Sequence, residues 1–174
     1  FQKSFARDNL SYIVLYEENK WRKMLDILKR IPGSGVVYVQ NRKETKDIAH
    51  FLHRNGVSAD YYHAGRSAGT RETVQDNWIK NKVRIIVATN AFGMGIDKPD
   101  VRVVIHLTLP DCLEAYFQEA GRGGRDGERA YGILLYNQSD RLKHEKHFEQ
   151  AFPDVKAIRR VYQASVSYTH LRAH

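Results

Sequence analysis

Short apolar runs, many of them β-branched, recur along this chain, and most are separated by stretches whose apolar residues return every three or four positions. No other feature constrains the fold as strongly. The runs are SYIVLY at 11–16, GVVYVQ at 35–40, VSADYY at 57–62, VRIIVAT at 83–89, RVVIHL at 102–107 and AYGILLY at 130–136. Most are continuous rather than alternating, which is the pattern of strands covered on both faces. Helical spacing links Trp21, Met24, Leu25, Leu28 and Ile31, then Ile48, Phe51 and Leu52, then Val74, Trp78 and Ile79 within 67–80, then Leu113, Tyr116, Phe117 and Ala120. Pro32 and Gly33 should stop the first helix. Asn41 with Glu44, and then Gly56, bracket the second, and Asp111 with Glu114 reads as a capping box before the fourth. Two further amphipathic helices are expected near 140–150 and 155–164. Such alternation gives an α/β domain, a three-layer arrangement with a mostly parallel sheet and helices on both faces. Ligands of these sheets bind beyond the carboxyl ends of the strands. That edge should carry residues 41–42, 63–65 and 89–97, and the loop containing 118–127.

The chain has 174 residues, which suits one domain. Its formal net charge of +8 favours a polyanionic partner. Cys112 is the sole cysteine, so no intramolecular disulfide or thiolate cluster can form and the chain reads as intracellular. No apolar run approaches about 18 residues, so no membrane span is expected. The opening FQKSFARDNL lacks the apolar core of a signal peptide.

Residues 118–127, QEAGRGGRDG, place four glycines and two arginines in one short run. A phosphate cradle of the form GxxxxGK[ST] is excluded, because Gly-Lys occurs nowhere in the chain. The dinucleotide fingerprint GxGxxG also fails. Lys98 stands at its third glycine in FGMGIDKP, and Asp126 does so in GRGGRDG. Disordered RGG segments usually repeat over long stretches, whereas this run is single and lies between a helix and a strand. The remaining functional reading is an arginine finger. A guanidinium forks onto phosphate oxygens and stabilises charge that develops during phosphoryl transfer. The ordinary alternative is that Arg122 and Arg125 pair at the surface with Glu119, Asp126 or Glu128.

Taken with its neighbours, the run resembles motif VI of superfamily 2 helicases in the form used by the RecQ family of DNA helicases. ATNAFGMGIDKPDVRVVIH at 88–106 is similar to that family's motif V and its flank. YYHAG at 61–65 and GVVYVQNR at 35–42 are similar to its preceding blocks, in the same order. Helicases of the DEAD-box type usually open motif VI with histidine, where this chain has Gln118.

The resemblance implies the second RecA-like domain of an ATP-dependent helicase, spanning 1–152, followed by a short helical extension and a tail at 153–174. ATP with Mg²⁺ would be held mainly by a first RecA-like domain that carries the P-loop. The resemblance makes Arg125 the finger with Arg122 beside it, and sets Gln118, Asp97 and Gly95 at the nucleotide. It assigns Arg42, His63, Gly65 and Thr89 to the path of a DNA strand. The partners implied are single-stranded or duplex DNA and the first domain of the same polypeptide, with no membrane. No metal site is expected. One cysteine cannot build the four-cysteine zinc module that follows in many members. HEKH at 144–147 is not HExxH, and with His50 and His53 it reads as part of a solvated charged helix face. Two other readings stay open: an RNA helicase, and a non-catalytic nucleic-acid-binding module of the same fold.

Overall fold

The computed structural model describes residues 7–93 and 95–151, with isolated positions 156, 159, 160 and 163 beyond them. Two compact units divide it, Phe1–Asn137 and Gln138–His174. The division falls ahead of the last described helix, whereas the sequence reading places its boundary after it, at 152.

The first unit holds six strands: β1 (Leu10–Tyr16), β2 (Ser34–Tyr38), β3 (Ala59–Tyr62), β4 (Ile85–Ala88), β5 (Val101–His106) and β6 (Ala130–Tyr136). They form one sheet in the order β1-β6-β5-β2-β4-β3, and every pairing is parallel. Four helices accompany them: α1 (Lys20–Arg30), α2 (Arg42–Arg54), α3 (Ala68–Ile79) and α4 (Leu113–Ala120).

Alternate residues of the central strands enter different cores, because successive side chains point to opposite faces. Val37, Ile85, Val87, Val103 and Ile105 pack with Met24, Leu25 and Leu28 of α1 and with Ile48 and Leu52 of α2. Val36, Tyr38, Ile86 and Val104 pack with Val74 and Trp78 of α3 and with Phe92 and Ile96. Phe92 and Ile96 belong to the helix-free crossover from β4 to β5, so this connection itself covers part of one face.

The caps set where the helices begin. Asn41 accepts from the Glu44 amide at 2.8 Å, and Ser67 accepts from the Thr70 amide at 3.3 Å. Asn19 does the same for α1, accepting from the Arg22 amide at 3.2 Å. Three expectations need correction. The cap of α4 is Cys112, with no side-chain cap bond, so the Asp111–Glu114 capping box does not form. Ile79 is 37% exposed, off the buried face of α3. On α4, Tyr116 and Ala120 are buried, but Leu113 and Phe117 are 70% and 52% exposed.

In the second unit, α5 (Gln138–Ala151) is the one helix with defined bounds. Its residues 141–148 are exposed, including His144 and His147, and Arg141 pairs with Glu145 one turn on. The helix expected at 155–164 and the tail at 165–174 fall largely or wholly outside the described residues.

Candidate functional site

Parallel order brings the carboxyl ends of β2, β4 and β3 side by side. The residues that follow these strands form the first cluster. Arg42, exposed, opens α2 after β2. His63 and Gly65 follow β3, and Thr89 follows β4. The Gly65 amide donates to His63 Nδ1 at 3.1 Å, which leaves Nε2 as the protonated nitrogen of a neutral ring. A Cβ placed on Gly65 would stand 2.8 Å from Arg42 Nη1 and 3.2 Å from His63 Nδ1, so the three residues adjoin. The Thr89 amide donates to the Tyr62 carbonyl at 3.3 Å, which fixes it beside the residue preceding His63. The structure therefore gathers Arg42, His63, Gly65 and Thr89 at one edge, although they are distant in sequence.

The charge of this edge is positive. Partial burial holds His63 below the usual histidine range, and the Arg42 and Arg66 guanidiniums push it the same way. Arg66 was not singled out in the sequence. It lies 4.1 Å over the Tyr61 ring and donates to the Tyr61 carbonyl at 2.5 Å and to Asp60 at 3.3 Å. Fixed cations beside a glycine backbone are suited to phosphate oxygens rather than to base edges.

The second cluster surrounds residues 118–127. This run is split along the sheet: Glu119 bonds His106 at the carboxyl end of β5, where the sequence reading places it, but the residues from Gly124 on lie at the other end. The Gly124 amide donates to the Val101 carbonyl at 2.8 Å, and the Asp126 amide donates to the Pro99 carbonyl at 3.3 Å. Both acceptors stand at the entry to β5, so the loop has returned along the sheet before it feeds β6. Gly124 has φ +60, and a Cβ there would meet Asn9 Nδ2 at 2.5 Å and the Glu128 carbonyl at 2.6 Å. Only glycine turns the chain in that space. Arg7 and Asn9, also unmarked in the sequence, lace the loop from the segment before β1. Arg7 donates to the carbonyls of Gly121 and Gly123, and Asn9 donates to those of Gly124 and Glu128.

The two arginines are held differently. Arg122 is half-buried, its Nη1 donates to the Gly93 carbonyl at 2.5 Å, and its Nε is buried without a partner among the described residues. Gly93 has φ +121, and a Cβ there would collide with the Arg122 guanidinium. Arg125 reaches Asp97 Oδ1 at 3.0 Å, with side chains 39% and 81% exposed. Gly95, exposed and with φ +75, lies two residues before Asp97. Arg122, Arg125, Gly95 and Asp97 thus share one surface. Gln118 is exposed on α4, four residues before Arg122, which lies past the end of that helix. Two of the three acids expected as surface partners are engaged elsewhere: Glu119 with His106, and Asp126 with Arg102.

Arg125 presents a cation on an exchangeable ion pair, and Asp97 an exposed acceptor. Among the described residues no three His, Cys, Asp or Glu side chains gather to hold a metal ion. No described helix is long and apolar enough to cross a membrane.

The family described as "Helicase conserved C-terminal domain" matches residues 19–127. The chain is 44% identical over 155 residues to the RecQ-like DNA helicase blm-1 of Caenorhabditis elegans, covering 86% of this chain and 16% of that protein. It is 36% identical over 173 residues to the ATP-dependent DNA helicase RecQ of Bacillus subtilis (strain 168), covering 95% of this chain and 29% of that protein. The chain therefore spans less than a third of either relative. The RNA helicase Prp28 from Chaetomium thermophilum, solved bound to ADP, superposes with a TM-score of 0.69 at 23% identity over 84% of this chain and 37% of that one. This last likeness concerns the RecA-like fold. The motif resemblance to RecQ helicases and the expected fold class are both borne out.

Proposed function

The chain belongs to the helicase conserved C-terminal domain family, with RecQ-like helicases among its relatives, and on that premise we propose that it is the second RecA-like half of an ATP-dependent DNA helicase. One observation carries the reading. Arg125, the arginine that the motif would aim at a phosphate, stands on an exposed pair with Asp97, on the same surface as Arg122.

In this reading ATP binds between the present domain and a P-loop domain supplied by the same polypeptide, which also brings most of the Mg²⁺ ligands. Bound ATP supplies the phosphoryl group and the charge that develops on it. Arg125 exchanges Asp97 for the γ-phosphate and forks onto its oxygens. Asp97, released, accepts from a ribose hydroxyl. Gln118 and Gly95 line the same cleft. Arg42, His63, Gly65 and Thr89 hold the backbone of one DNA strand without reading its sequence.

The test compares two proteins. The 174-residue chain alone should hydrolyse no ATP, because no P-loop is present, while a polypeptide joining it to a P-loop domain should show DNA-stimulated hydrolysis. Turnover by the chain alone that follows its gel-filtration peak would overturn the half-enzyme reading. Unwinding assays on DNA and RNA duplexes with the joined polypeptide decide the nucleic acid, and a preference for RNA would replace DNA in the proposal. Nucleic-acid binding with no hydrolysis by the joined polypeptide would leave the non-catalytic module.

A further inference from the structure

We propose that Glu119 and His106, acting through the ring of Tyr38, are positioning residues for Arg122 and for the turn that Arg122 grips. The proposal rests on reading 118–127 as the arginine-bearing edge of a nucleotide cleft, and it adds a buried set of residues beneath that edge.

His106 ends β5 and is 2% exposed. Three neighbours fix its ring. Nε2 lies 2.8 Å from Glu119 Oε2, the Tyr38 ring stacks on it at 5.1 Å between centroids and 20° between planes, and Tyr116 meets it edge-on at 5.0 Å. The Glu119 carboxylate accepts, so Nε2 carries the hydrogen and Nδ1 is left buried without a partner among the described residues. An orphaned nitrogen in that place is unfavourable. It is kept here with the ring stacked on Tyr38 and bonded to the helix that leads into the arginines.

Tyr38 passes the constraint on. Its hydroxyl donates to the Phe92 carbonyl at 3.2 Å, and the next carbonyl, that of Gly93, accepts from Arg122 at 2.5 Å. Two consecutive carbonyls of one turn are thus gripped, one from β2 and one from the loop after α4. Burial pushes the Tyr38 hydroxyl up to about 12, with Arg122 pulling it down and Glu119 pushing it up, so it remains a donor at neutral pH. Glu119 precedes Arg122 by three residues, and its carbonyl accepts from the Arg122 amide at 3.2 Å. The same residue therefore holds Arg122 through the backbone and, through His106 and Tyr38, supports the turn opposite it. A cavity of about 110 Å³ bounded in part by Tyr38, Asn90, His106, Asp111 and Glu119 adjoins the set. It gives the imidazole space to swing once its carboxylate is removed.

Two measurements test this. In the 174-residue chain, nitrogen-15 spectra of the arginine side chains report rotation of the Arg122 guanidinium. Wild type and Glu119→Gln, which keeps an acceptor oxygen, should show hindered rotation. Glu119→Ala and Tyr38→Phe should show free rotation. In a polypeptide joined to a P-loop domain, Glu119→Ala should lower kcat about 10- to 100-fold with KM for ATP unchanged, as expected for a misplacement near 1 Å. Hindered rotation persisting in folded Glu119→Ala, or in Tyr38→Phe should the first variant not fold, overturns the proposal. So does Glu119→Gln behaving like Glu119→Ala. Absence of ATPase in the joined wild type overturns the proposed function instead, and leaves the spectra to decide the positioning.

Discussion

Replacing Arg125 by alanine, in a polypeptide that also carries the P-loop domain, separates catalysis from folding. Among the described residues the side-chain partner of Arg125 is Asp97, and the two side chains are 39% and 81% exposed. Exposed pairs contribute about 0.2–1 kcal/mol, so the melting temperature should fall by no more than about 4 °C. The kinetic effect should be far larger. Loss of an arginine finger lowers turnover by about 10³- to 10⁵-fold, which corresponds to about 4–7 kcal/mol of barrier. ATP and DNA affinities should stay near wild type, because the lost contact forms as charge develops in the transition state. Arg125→Lys should recover little, since an ammonium cannot fork onto two oxygens. The assay is DNA-stimulated ATPase rate beside nucleotide affinity and thermal melting. Near-normal turnover in a variant that folds and binds as wild type would refute the assignment and turn attention to Arg122.

Gly93→Ala should be severely destabilising, because φ +121 disfavours alanine and its Cβ would collide with the Arg122 guanidinium; a melting temperature equal to wild type would contradict this. Arg42→Ala should weaken single-strand binding equally for all sequences and reduce the slope of log affinity against log salt by about 0.7, the value of one single-strand phosphate contact. A loss confined to one sequence would indicate base reading instead. His63 should titrate below the usual histidine range, chiefly from partial burial and then from Arg42 and Arg66, and Arg42→Ala should raise its midpoint in an NMR titration. The folded chain then binds its proton less readily than the unfolded chain, so this residue's contribution to stability is present above the ordinary histidine range and declines as pH falls through it. An unchanged midpoint in Arg42→Ala would remove Arg42 as a cause.

The strands were legible because burial on both faces leaves continuous apolar runs, and β2, β4 and β5 are buried almost throughout. The helices were legible where an apolar stripe follows a cap side chain, as after Asn41. α4 shows where this fails. Its spacing identified Leu113, Tyr116, Phe117 and Ala120 as one stripe, yet only Tyr116 and Ala120 are covered in the first unit. Periodicity states which residues align, and not what covers them. The candidate site residues came from the resemblance, which pointed to none of the residues that support them. Arg7, Asn9, Tyr38 and His106 act through backbone carbonyls or ring stacking, and such contacts leave no spacing signal. The position of the later part of the run, from Gly124 on, was misjudged for a related reason. An eight-residue helix rises about 12 Å, which carries the chain back along the sheet, and loop order along the sequence does not record that return.

Under the proposed reading, the two arginines of the run divide two tasks across three residues of separation. A finger must leave a resting partner for a phosphate that arrives only when two domains close. The Arg125–Asp97 pair permits this, because both side chains are exposed and water can replace either partner as they part. Arg122 is not free in the same way. Its Nη1 bonds the Gly93 carbonyl, its Nε is buried, and releasing it would leave that carbonyl to find another donor. Gly93 and Gly124 serve the division from opposite sides. One lacks the Cβ that would push the Arg122 guanidinium away, and the other turns the chain sharply before Arg125. A segment with either glycine replaced could retain both arginines in sequence and still lose the difference in exposure on which the proposed exchange depends.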